Sequence, residues 1–256
     1  MWVPKIPAGL LVSLFCAVAV LAAVLIWTNA RAGGGGSRAA GVTGTQLDRS
    51  LPPLTLVDEH GRTVPVASWR GKVVVIAPFL TLCTELCPIT TGAFDDMQQT
   101  LRRDGLAGKV VLAEVTVDPW RDSPARLRAY ARMTGTRFPL YTGSLGQITA
   151  FWRFFGVFFK RVPEGKPADV DWWTHRKLTF DVAHTDGLMF VDSTGHWRIA
   201  ILGMPTTGGK LAAPLRRLLS SAGLHNLEHP MAPWTPAQAL GDTGALLGRR
   251  IGTNAT

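Results

Sequence analysis

Two cysteines four residues apart, Cys83 and Cys87, stand in the stretch Lys72 to Pro88, KVVVIAPFLTLCTELCP. At that spacing both sulfurs lie on one face of a helical turn or across a tight loop, so they can converge on one ion or on each other. In an oxidising compartment the default for such a pair is a structural disulfide. A bridge closing so short a loop contributes little chain entropy, however, and the flanking pattern favours a working dithiol. Val73 to Ile76 is apolar and mostly β-branched, as a strand buried on both faces requires. Pro88 sits where a first helical residue belongs, because its missing N–H would find no partner there, and the amphipathic run Ile89 to Leu101 follows. The thiols therefore fall between the C-terminal end of a strand and the N-terminal end of a helix. Partial positive charge at that helix end favours thiolate over thiol, which improves sulfur both as nucleophile and as metal ligand.

Two thiolates that bind a metal want a third ligand. Of the six histidines, His184 is the best placed, just before the predicted strand Gly187 to Asp192, where a returning loop comes over the helix N-terminus. A soft Cys₂His set suits Cu(I), whereas structural zinc calls for a fourth protein ligand that the sequence does not identify. His60, His175, His196, His225 and His229 are assigned to the surface or to packing. Glu85, between the cysteines, is an exposed loop carboxylate or an acid that tunes the thiols.

The elements that position these groups alternate. A short hairpin is expected around Glu59-His60-Gly61, then the central strand and the helix after Pro88. Lys109 to Val117 forms a second strand, Asp122-Ser123-Pro124 caps a helix over Ala125 to Met133, Phe138 to Tyr141 a short strand, and Leu145 to Phe155 a third helix. The aromatic run Phe151 to Phe159 is either a recognition patch or packing under the sheet edge, the second being favoured. Pro163 to Phe180 is a polar insertion with Trp172, Trp173 and His175. Val182 to Asp192 and His196 to Leu202 pair through the turn Asp192-Ser193-Thr194-Gly195, and Lys210 to Ser220 is a last helix. The order predicts an α/β, thioredoxin-like three-layer sandwich with a mixed central sheet.

Residues Gly9 to Trp27 carry no charge and are long enough to cross a bilayer. The expectation is a single-pass transmembrane helix in the cell membrane, with the domain on the extracytoplasmic side; the alternative is a signal peptide cut near Ala30-Arg31-Ala32. Cys16 within it is a small apolar filler. The organisation is then 1–30 anchor, 31–50 flexible linker, 51–221 folded domain and 222–256 irregular tail. The net charge of +9 comes from basic residues scattered singly or in pairs, with no aromatic-interleaved stripe, so no nucleic-acid partner is expected.

The motifs C-T-E-L-C-P, D-P-W-R-D-S-P and H-T-D-G-L-M-F-V-D, with G-H-W-R beyond, resemble the SCO/SenC family of copper-binding, thioredoxin-like cytochrome oxidase assembly proteins. The resemblance runs from about Leu51 to Ser221. It implies copper, Cu(I) or Cu(II), bound by Cys83, Cys87 and His184, a membrane-anchored topology, and delivery to the copper-receiving subunit of cytochrome c oxidase or another cuproprotein. It also sets Asp118 and Asp122 near the site, with Asp118 and Glu85 as supporting groups and Asp122 explained by helix capping. Two further activities compete: a thiol:disulfide oxidoreductase using Cys83 and Cys87 to keep a partner's copper-site cysteines reduced, and a thiol peroxidase. His184-Thr185-Asp186 stands where dithiol enzymes usually place a proline, which favours metal over general exchange; Thr81 and Pro78 do not fit peroxidase spacing.

Overall fold

The computed structural model describes residues 42–231 and 234–252. The expected anchor over 1–30 and most of the expected linker lie outside the described residues; among those described, no helix is long and apolar enough to cross a membrane.

In chain order the elements are β1 (Thr45–Ser50), β2 (Thr55–Asp58), β3 (Thr63–Pro65), β4 (Val73–Phe79), α1 (Cys87–Arg103), β5 (Val110–Thr116), α2 (Pro124–Thr134), β6 (Leu140–Thr142), α3 (Leu145–Phe155), β7 (Phe159–Pro163), β8 (Phe180–His184), β9 (Gly187–Val191), β10 (His196–Leu202), α4 (Ala213–Arg216), α5 (Ser221–Glu228) and α6 (Pro236–Leu247). Eight strands form one mixed sheet in the order β1-β10-β9-β4-β5-β6-β2-β3, and β7 and β8 form a separate ribbon. Every residue of β4 is buried, so both faces of the sheet are covered at its centre and the strand is apolar throughout. It pairs in parallel with β5 and antiparallel with β9. The parallel run β4, β5, β6 requires crossover connections, which α1 and α2 supply.

Local chemistry sets the helix ends. Ser123 caps α2, Ser144 and Gln147 make a capping box on α3, and Gly135 and Gly156 close these two helices in the left-handed conformation. The aromatic run packs, as favoured: Phe151, Trp152 and Phe155 are buried, the Trp152 indole N–H donates to the Thr116 carbonyl at 2.8 Å, and Phe158 alone of the large rings is well exposed.

Five expectations need correction. Residues Thr45–Ser50 are not linker but an edge strand on β10, and the Thr43 amide and hydroxyl bond to Asp242 at 2.8 and 2.9 Å. The predicted single strand Val182 to Asp192 is two: Gly187 at φ +154 breaks it, sending β8 to β7 and β9 into the main sheet. Lys210 to Ser220 contains one helical turn, Ala213–Arg216, because Gly208 and Gly209 precede it at positive φ and Pro214 starts it late. The cap of α2 is Ser123, so Asp122 is free for the role described below. The tail is not irregular: α5 and α6 fold, α6 with a capping box of Thr235 and Gln238.

Among the described residues, 222–231 and 234–252 therefore contribute to the core, since Leu227, Trp234, Ala239 and Leu240 are buried. Full burial of a large apolar side chain is worth roughly 1.5–3 kcal/mol. Deleting this segment is expected to cost about 5 kcal/mol or more, read as a lower urea midpoint; an unchanged midpoint would make the segment dispensable.

Candidate metal centre

The Cys83 sulfur lies at the start of α1. Leu86, the residue before the helix, has no side-chain cap, and the Cys83 sulfur takes that place, accepting the Leu86 N–H at 3.4 Å and the Cys87 N–H at 3.3 Å. Two of the helix's unpaired amides are thus satisfied by sulfur, and the charge at the helix end acts on that same atom. Both cysteines are free thiols; Cys83 is partly accessible and Cys87 buried.

The two thiols are held in opposite states. A hydrogen bond from the Cys87 thiol, then one from His184, hold Cys83 well below the ordinary thiol range against the opposing effect of burial. Burial, then the neighbouring Cys83 sulfur, push Cys87 well up. At His184 burial works against the charged ring, but the Cys83 sulfur and the Asp186 carboxylate outweigh it and push the imidazole up to about 9. Its Nδ1 faces the Thr185 carbonyl at 3.2 Å and Asp186 at 3.4 Å. These opposite shifts favour a thiolate–imidazolium pair with a buried thiol behind it. It opens into a cleft of about 400 Å³ lined by Cys83, Glu85, His184 and Asp186, with Asp169 and Asp181 nearby. Among the described residues no group of three or more His, Cys, Asp and Glu side chains is already arranged to hold a metal ion.

The cysteine loop is clamped from three sides. Asp122, fully buried, accepts the Thr81 hydroxyl at 2.5 Å, the Thr81 amide at 3.3 Å and the Thr116 hydroxyl at 2.6 Å. The indole N–H of Trp172, in the insertion, donates to the Thr81 carbonyl at 2.7 Å. The Ser220 amide and hydroxyl donate to the Thr84 carbonyl at 2.9 and 3.2 Å, and a Cβ at Gly223 would collide with that same carbonyl. The insertion is in turn latched to α2 by a bidentate pair, Arg126 to Asp171, at 2.8 and 2.6 Å.

Cys83, Cys87 and His184 thus come together, and Glu85 stands exposed on the rim of the cleft. Asp118 does not line it. It is buried and paired with Arg121 at 2.5 Å, and Arg121 donates to the Phe180 carbonyl at 2.8 Å, the first residue of the strand that ends in His184. Asp118 therefore acts on the site through the ribbon. Sequence reasoning missed Trp172, Ser220 and Gly223 as supports, and also Glu114. That wholly buried acid on β5 accepts the Thr91 hydroxyl at 2.9 Å, and burial pushes it well above the usual carboxylate range. A single acid inside KVVLAEVTV was the only available signal.

A family model described as SCO1/SenC matches residues 42–220. A putative copper-binding protein of Stutzerimonas stutzeri is 24% identical over 169 residues, 66% of this chain and 72% of its own length. An SCO2-like protein of Rickettsia prowazekii is 28% identical over 110 residues, 43% of this chain, so the match spans only about half (53%) of that relative. Among solved structures, copper-bound ScoI of Bradyrhizobium japonicum superposes with a TM-score of 0.51 at 22% identity, covering 70% of this chain and 99% of that one. Apo Sco1 of Thermus thermophilus gives 0.50 at 23%, covering 75% and 99%. These structural likenesses bear out the thioredoxin-like fold.

The latch sets a pH dependence. Burial works to raise the Asp171 carboxyl, but the Arg126 guanidinium and the Trp173 and Thr174 amides outweigh it and hold it below the usual carboxylate range. A depressed acid stabilises the fold above its unfolded pKa, near 4, and loses that contribution as pH falls through the folded value. Asp171→Ala should cost about 3–5 kcal/mol at neutral pH, because it strands a buried guanidinium. The gap to the native protein should shrink below about pH 4 in urea unfolding across a pH series; a gap independent of pH would contradict the ion-pair account.

Proposed function

The chain belongs to the SCO1/SenC family, and on that premise we propose that it is a copper carrier whose ligands are Cys83, Cys87 and His184. The observation that carries this reading is the Cys83 sulfur, which accepts the Leu86 and Cys87 amides at a helix start and has its pKa drawn down by the adjacent Cys87 thiol and His184 ring. A set of two thiolates and one imidazole is soft and suits Cu(I); copper is here the cargo. Ligation needs a deprotonated Cys87 and a neutral His184, so binding at neutral pH releases a proton from each and tightens as pH rises. The three donors would have to draw closer on binding. The clamps on Thr81 and Thr84 hold the thiol loop still, so the movement falls to the ribbon that bears His184.

In this reading the recipient is the copper-receiving subunit of a cytochrome c oxidase or another cuproprotein. The domain works on the extracytoplasmic side, tethered by the apolar segment Gly9 to Trp27, where a dithiol can cycle between reduced and oxidised forms. The second reading is a thiol:disulfide oxidoreductase. It is favoured by the asymmetry of the pair, a partly accessible low-pKa nucleophile beside a buried partner thiol.

Competition with a Cu(I) chelator separates the two. The reduced native protein is expected to bind one Cu(I), Cys83→Ser and Cys87→Ser to bind none, and His184→Ala to bind more weakly by more than the roughly 10–100-fold typical of an outer-shell change. Weak native binding that is indifferent to His184→Ala would instead support dithiol exchange.

A further inference from the structure

Helix α5 is fixed at both ends. At its start Ser220 donates to Thr84, inside the cysteine loop, and Gly223 lies against the same carbonyl. Beyond its end the chain folds back onto the segment after β10, where the Trp234 amide donates to the Met204 carbonyl at 3.0 Å and the Met231 amide to the Met204 sulfur at 3.1 Å. Between these ties His225, within the helix, and His229, the residue that caps its C-terminal end, are exposed. The His229 amide donates to the His225 carbonyl at 2.8 Å, so the helical turn runs through the pair, and the two rings face the same side with centroids 4.9 Å apart, tilted at 45°.

We propose that His225 and His229 form a second metal site, separate from the dithiol, that takes a divalent ion of the Cu(II) class through two imidazoles. Two histidines four apart, one in the helix and one capping it, with rings this close can offer two ring nitrogens to one ion, much as paired histidines hold zinc in H-E-x-x-H helices. The backbone is already ordered, so little conformational entropy is lost on binding. Glu228, between them in sequence, is engaged by Arg216 at 3.7 Å, which leaves the imidazoles as the donors. Imidazole is a borderline ligand, and among divalent first-row ions the order of affinity places Cu(II) above Ni(II) and Zn(II). The two sites differ in softness: thiolates prefer Cu(I), imidazoles accept Cu(II). They share one element, since His225 lies about 3 Å further along the helix axis than the glycine that touches the cysteine loop, at 1.5 Å per residue, and His229 caps the same helix.

The test uses the full chain with Cys83→Ser, Cys87→Ser and His184→Ala, so that the result does not depend on the dithiol site. Titration with Cu(II) alone, followed by calorimetry and electron paramagnetic resonance, is expected to show one equivalent with nitrogen hyperfine structure, bound more tightly than Ni(II) or Zn(II). Adding His225→Gln and His229→Gln should weaken it at least tenfold, with circular dichroism unchanged because both side chains are exposed. Absence of Cu(II) binding before those two changes, or undiminished affinity after them, would overturn the assignment.

Discussion

The amides at the start of α1 need an acceptor, and no oxygen-bearing side chain caps them. The Cys83 sulfur fills that need, and the rest of the site follows from it. A thiolate accepts such bonds better than a thiol, so the helix end adds to the larger effect of the Cys87 thiol and of His184, which draw the Cys83 pKa down. Burial, then the neighbouring Cys83 sulfur, push the Cys87 pKa up, while Cys83 and Asp186 favour the proton on His184. The helix end, burial and the neighbouring side chains together favour a nucleophile, a protonated base and a reserve thiol within a single cluster.

That arrangement works only if the loop from Leu80 to Leu86 is held in register, and three remote parts of the chain do so. Asp122 takes the Thr81 amide and hydroxyl, Trp172 the Thr81 carbonyl, and Ser220 the Thr84 carbonyl. Arg121 joins the buried Asp118 to the ribbon that bears His184, so the aspartate-proline segment organises both the thiols and the imidazole without touching the cleft. The polar segment Pro163 to Phe180 and the C-terminal helices are structural parts of the site.

The central strand, the helix start at the cysteines and the order of parallel units were legible because each rests on local signals: β-branched burial in Val73 to Ile76, Pro88 at the helix start, Ser144 and Ser123 before helical runs. His184 was found by position in that order. What escaped was tertiary. Nothing local distinguishes Trp172 from an exposed loop tryptophan, since its bond to Thr81 joins residues 91 apart in sequence. Asp122 looked like a cap because its neighbour Ser123 is one. The last helix was hidden by its own glycines; a Cβ at Gly244 would collide with the Arg249 carbonyl, so a residue that weakens helical propensity is what lets the chain close there.

The central claim is that the fold holds Cys83 as thiolate and Cys87 as thiol. Following the ultraviolet absorbance of thiolate through a pH titration of the reduced, metal-free protein tests it most directly. One thiolate should already be present at neutral pH and the second should appear only in strongly alkaline solution. Two thiols that ionise together near the free-cysteine value, about 8.5, would contradict it.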